Sequence, residues 1–127
     1  MKKRILILDS KVAIVEIIKE VMLSEGHEAK GISLTDNFIP IVHWYQPDLI
    51  ILDYNLLSRF NGGELCRQIK SDPKTSSIVV IIISTCPPPF DIFSSYGPDA
   101  LIYKPFSLKE VTECVRERLI YQEKAGK

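Results

Sequence analysis

Apolar and polar positions fall along this chain in blocks that differ in period. Ile5–Leu8 is an unbroken apolar run, as expected of a strand covered on both faces. Val12 to Leu23 carries a broad apolar stripe instead: Val12, Val15, Ile18 and Met22, with Ile14, Ile17 and Val21 beside it. That spacing predicts a helix, which Gly26 is placed to stop. Glu28–Ser33 reads as a short second strand. Asp36–Tyr45 reads as a weaker helix distorted by Pro40. Pro47-Asp48 launches a third strand, Leu49–Leu52, which ends in Asp53. Asn61-Gly62-Gly63 reads as loop, and Glu64–Lys70 as a helix closed by Ser71-Asp72-Pro73. Ile78–Ile83 is the most hydrophobic run and predicts a central strand ending at Ser84-Thr85. Cys86-Pro87-Pro88-Pro89 breaks the chain. Phe90–Tyr96 then predicts a stunted helix with Phe90, Ile92, Phe93 and Tyr96 on its inner face. Ala100–Tyr103 is a fifth strand, ending at Lys104-Pro105. Ser107 with Glu110 forms a capping box, opening a last helix through Leu108, Val111, Val115 and Leu119.

Five strands alternating with helices imply βαβ units and a parallel sheet. With right-handed crossovers, the pattern predicts an α/β doubly wound sheet in the order 2-1-3-4-5. Ligands bind such sheets beyond the carboxyl ends of the strands, where the winding reverses. That point lies between strands one and three, whose ends carry Asp9 and Asp53. The fourth strand ends at Ser84 and the fifth at Lys104. Each has a plain structural reading. Asp9 or Ser10 caps the first helix, Asp53 makes a turn, Ser84 caps the chain after its strand, and Lys104 is a solvated amine. Jointly they argue for a site, because helix caps do not predict polar groups at four strand ends on one edge.

Composition narrows the classes. The chain has 127 residues, suited to one domain over 1–127 with no output domain. A hydrophobic fraction of 46% excludes a disordered chain. Formal net charge is zero, so Lys2-Lys3-Arg4 reads as a solvated lead-in rather than a nucleic-acid patch. The apolar runs are too short to cross a membrane. Asp9 interrupts any leader-peptide core, which favours a cytoplasmic protein. Cys66, Cys86 and Cys114 have neither disulfide-framework nor metal-knuckle spacing, and read as reduced thiols. His27 and His43 lie in different segments and suggest no metal site.

The pieces "ILILDS", "PDLIILDYNL", "NGGELCRQIKSDP", "VVIIIST" and "GPDALIYKPF" occur in that order. Together they resemble the response-regulator receiver domain of bacterial two-component signalling, over essentially the whole chain. The resemblance implies a flavodoxin-like fold and a signalling switch rather than an enzyme. By position it implies that Asp53 accepts the phosphoryl group, Ser84 bonds it and Lys104 contacts it. It likewise implies Mg2+ as cofactor, held by Asp9, Asp53 and the backbone carbonyl of Asn55. The implied partners are a sensor histidine kinase or phosphotransfer protein and a downstream protein target, with neither nucleic acid nor membrane. Receivers often pair through the fourth helix, fifth strand and fifth helix, which allows a homodimer here.

This sequence departs from the family pattern at several points. Ser10 stands where a second acid usually ligates the metal, so Mg2+ affinity should fall. Lys11 either puts an amine near the pocket or is solvated at the helix start. Leu57 replaces a common proline in a loop one residue longer than usual. Leu101 occupies the place of a switching Tyr or Phe, and Tyr103 is expected to point to the opposite face. These departures motivate a rival reading, a receiver-like interaction module that works without phosphorylation. A flavin binder or phosphohydrolase fits less well, since no phosphate loop follows the first strand and no second aspartate follows Asp9.

Overall fold

The computed structural model describes residues 2–33, 35–56, 58–85 and 91–125. Its strands are β1 (Arg4–Leu8), β2 (Glu28–Ile32), β3 (Leu49–Asp53), β4 (Val79–Thr85) and β5 (Ala100–Lys104). They form one parallel sheet in the order β2-β1-β3-β4-β5, as the block pattern predicts. The helices are α1 (Val12–Ser24), α2 (Phe38–Tyr45), α3 (Gly62–Ser71), α4 (Ile92–Tyr96) and α5 (Leu108–Lys124).

The unbroken apolar runs become the central strands because both faces of the sheet are covered. Leu6, Leu8, Ile50, Leu52, Val80 and Ile82 pack in one core with Phe38, Val42, Leu65 and Ile69. Ile5, Ile7, Leu49, Ile51, Ile81 and Ile83 pack in the other with Ile18, Met22, Val111, Val115 and Leu119. Alternate strand residues thus feed opposite cores. Each such side chain contributes about 1.5–3 kcal/mol on burial. The edge strand β2 is only half-buried throughout, consistent with its weaker apolar pattern.

Several boundaries differ from expectation for local reasons. Pro40 falls in the first turn of α2, where no intrahelical N–H bond is needed, so the helix runs on undivided. Asn61-Gly62-Gly63 is not all loop. The Asn61 side chain accepts from the Glu64 N–H and the Glu64 carboxylate accepts from the Asn61 N–H, so α3 begins at Gly62. The predicted Ser107–Glu110 box forms at α5. Leu108 is 36% exposed, however, because it lies at the first turn, beyond the stripe that α5 presses on the sheet. In α4, Ile92 is buried and Tyr96 half-buried, while Phe93 is 50% exposed. A five-residue helix has too narrow an inner face for all of them. Gly26 ends α1 with φ +89°, a conformation that disfavours other residues.

Leu101 packs on the first core and Ile102 on the second. Alternation therefore places Tyr103 on the side of Leu101, not opposite it, which corrects the expectation. Tyr103 is excluded from the interior because it lies near the open end of β5, 39% exposed. Cys66 and Cys114 are free thiols, and burial pushes the Cys66 thiol up to about 12. Leu57, Cys86, the three prolines and Phe90 lie outside the described residues. Among the described residues no helix is long and apolar enough to cross a membrane.

Candidate functional site

The parallel register brings the strand ends together. Asp9 follows β1, and its N–H donates to the Ile32 carbonyl at 3.3 Å, which keeps the chain on the sheet beyond its last strand residue. Asp53 closes β3 and pairs in register with Ile83, the residue before Ser84. Asp9, Asp53 and Ser84 are all buried, at 2%, 4% and 0% exposure, an unusual condition for two carboxylates. Lys104 pairs with Thr85 and extends its amine to within 2.9 Å of Asp53 Oδ1. All four strand-end residues thus meet on one edge. Asn55 is exposed in the bend after β3.

Asp9 does not act as a plain helix cap. The N-cap of α1 is Lys11, with no side-chain cap bond, and the Lys11 N–H donates to Asp9 Oδ1 at 2.9 Å. One oxygen is thereby fixed, and the other is buried with no hydrogen bond among the described residues. Burial pushes the Asp9 carboxyl above its ordinary range, and the neighbouring Asp53 charge adds to the rise. The Lys11 backbone bond and the amines of Lys104 and Lys11 act against it. Lys11 is exposed yet borders the same largely apolar depression as Lys104. Its amine is therefore solvated and still felt at Asp9. Ser10 is half-buried and supplies no acid.

Asp9 Oδ2, Asp53 Oδ1 and Ser84 Oγ have no hydrogen-bond partner among the described residues. Lys104 approaches Asp53 Oδ1 closely but outside hydrogen-bonding angles, so their contact is chiefly Coulombic. Buried polar atoms left without such bonds cost free energy and mark a place built for something else. Two acids with oxygen donors suit Mg2+, which takes one or two carboxylates with water and phosphate oxygens. No group of three or more His, Cys, Asp and Glu suited to a metal occurs among the described residues. The donor set fits Mg2+ but is one acid poorer than a full acidic pocket.

Two glycines near this edge escaped the sequence reading. A Cβ on Gly62 would lie 2.3 Å from the Asp53 carbonyl oxygen, and one on Gly63 2.3 Å from the Tyr96 ring. Both are close-approach positions rather than loop residues. Adjacent glycines opening a helix, where better helix formers were available, were the available signal.

A parallel sheet in the order 2-1-3-4-5, covered on both faces and charged at its switch point, defines a flavodoxin-like doubly wound α/β protein. Residues 5–116 match the family described as "Response regulator receiver domain", and the chain belongs to that family. It is 30% identical over 121 residues to the "DNA-binding response regulator MtrA" of Mycolicibacterium paratuberculosis, covering 94% of this chain and 52% of that protein. It is 26% identical over 120 residues to the "Probable transcriptional regulator ycf27" of Cyanophora paradoxa, covering 93% and 48%. The chain thus spans about half the length of the curated relatives it matches. A CheY-like receiver domain protein from Methanospirillum hungatei superposes with a TM-score of 0.84 at 24% identity, covering 98% of this chain and 99% of that one, and shares the fold. Receiver domains serve two-component signalling as phosphoacceptors, and Mg2+ binding is general among them.

Proposed function

We propose that Asp53 is the phosphoacceptor of this receiver and that Ser84 and Lys104 contact the phosphoryl group. The observation that carries this reading is the Lys104 amine 2.9 Å from the buried Asp53 carboxylate, beside a buried hydroxyl and a second buried acid. A carboxylate oxygen of Asp53 attacks phosphorus while the donor's bond to phosphorus breaks and its electron pair stays with the departing group. From a phosphohistidine, the departing imidazole nitrogen is then free to take a proton from water. The transferring group spreads negative charge over its oxygens, so positioned donors dominate the catalysis. Lys104 and the Ser84 hydroxyl are those donors. Asp9, Asp53 and the Asn55 carbonyl would hold Mg2+, which when bound neutralises phosphoryl charge.

The product carries about −1.5 to −2 charge, as for other phosphorylated side chains. A histidine kinase or phosphotransfer protein supplies the group, and the receiver, a single unit over residues 1–127, signals by contact with a downstream protein. A cytoplasmic setting and pairing through α4, β5 and α5 belong to the same reading. Intact-mass spectrometry after treatment with acetyl phosphate and Mg2+ tests it. One phosphoryl group is expected on the wild type and none on Asp53→Asn. An unmodified wild type, with acetyl phosphate and with a phosphorylated donor protein, overturns it.

Ser10 and Leu101 favour a second reading, an interaction module that works without phosphate. It requires partner binding to be unaffected by Asp53→Asn, whereas the first requires a loss.

A further inference from the structure

The residue that follows Asp53 ties the site to α4. Tyr54 is 7% exposed, and its N–H donates to the Ile83 carbonyl at 2.8 Å. Its own carbonyl accepts from the Gly62 N–H at 3.0 Å. Its backbone is therefore clamped between β4 and the start of α3. Its ring stands 6.3 Å from that of Tyr96, and the two hydroxyls share a hydrogen bond. Asn61, the cap of α3, reaches the Tyr54 hydroxyl with its Nδ2 at 3.4 Å.

Tyr96 is the last residue of α4, and its ring occupies the notch left by Gly63. The Arg67 guanidinium sits 5.5 Å from the ring centroid, and Cys66 Sγ donates to the Tyr96 carbonyl at 3.5 Å. A five-residue helix is too short to sustain itself, so these contacts, with buried Ile92, hold α4 in place.

We infer that Tyr54 and Tyr96 form the coupling element that passes the state of Asp53 to α4. The inference rests on the reading of Asp53 as phosphoacceptor. A switch requires an element with two discrete arrangements. Here one has Tyr96 seated on Gly63 with its hydroxyl bonded to Tyr54, and the other has Tyr96 released. A hydroxyl–hydroxyl bond tolerates only a few tenths of an ångström before it weakens. A small shift of the Asp53–Tyr54 peptide therefore reaches α4 directly. Leu101 packs in the same core but has no polar atom with which to make such a link.

Amide hydrogen exchange of residues 92–97, read before and after acetyl phosphate treatment, tests the coupling. In the wild type, phosphorylation should change exchange there about fivefold, the worth of one hydrogen bond. Tyr96→Phe and Tyr54→Phe should each cut that response to under about twofold, with the rate of Asp53 phosphorylation within about twofold of wild type. Gly63→Ala should raise exchange in α4 without phosphate, by displacing the Tyr96 ring. A full response in both Phe variants, or an unresponsive α4 in phosphorylated wild type, overturns the coupling and leaves the Asp53 reading intact. A wild type that takes up no phosphate overturns that reading, and the coupling with it.

Discussion

Lys104 Nζ lies 2.9 Å from Asp53 Oδ1 although a whole strand, β4, separates their backbones. The register explains the reach. Lys104 pairs with Thr85 and Asp53 with Ile83, so the lysine starts two positions further along and extends back across Ser84. The resulting contact places a cation over a buried oxygen of Asp53 that has no hydrogen bond among the described residues.

Replacing that cation should cost chemistry more than fold. Lys104 is partly exposed, so its ion pair is screened. Lys104→Met is expected to slow phosphorylation of Asp53 by acetyl phosphate about a hundredfold, the usual consequence of losing one positioned donor. Phos-tag time courses measure it. A rate equal to wild type would mean that Lys104 does not touch the phosphoryl group.

Ser10→Asp should restore the missing acid. Calorimetric titration should show Mg2+ binding tightened by about tenfold, or about 1.4 kcal/mol. The same substitution places another carboxylate beside Asp9, whose carboxyl is already raised by burial and by Asp53. Metal-free protein should therefore lose about 1 kcal/mol of stability at neutral pH, and regain it with Mg2+. Unchanged Mg2+ affinity would show that position 10 does not face the metal.

Gly62→Ala should destabilise the fold by about 3 kcal/mol, because the new Cβ meets the rigid Asp53 backbone at 2.3 Å rather than a flexible side chain. Urea denaturation reads the loss. A neutral result would mean that the start of α3 can slide away from β3 at little cost.

His27 should make stability depend on pH. The Lys3 N–H donates to its Nδ1 at 3.2 Å, and burial holds its basicity below the ordinary 6.5, against the nearby Glu25 charge. The unfolded chain therefore binds a proton more readily than the folded one. Stability from this group is complete above about pH 6.5 and is lost as pH falls below it. His27→Asn keeps an acceptor but cannot titrate. Urea midpoints at about pH 7.5 and 5.5 should differ less in this variant than in wild type. An equal acid loss in both would place the sensitivity elsewhere.

Much of the architecture was legible because burial on two faces writes unbroken apolar runs, and burial on one face writes helical stripes. Ile5–Leu8, Leu49–Leu52 and Ile78–Ile83 became three adjacent central strands for that reason. Asp9, Asp53, Ser84 and Lys104 were legible as a group because strand polarity alone sends their ends to one edge. The extent of α3 was less legible. Its cap depends on a reciprocal bond between Asn61 and Glu64, which competes with the turn that Asn-Gly-Gly also favours.

The sequence by itself determined the strands, the helical stripes and the convergence of two acids, a hydroxyl and an amine, because these follow from local period and from the shared direction of parallel strands. It also exposed the missing acid at Ser10. Only the tertiary structure decided that Lys104 reaches Asp53, that Gly62 and Gly63 are packing positions, and that Tyr54 and Tyr96 meet. Those contacts join residues 33 to 51 positions apart or turn on a few tenths of an ångström between neighbouring elements. No periodicity along the chain encodes such separations, since they are set by how the packed layers fit once the sheet has formed.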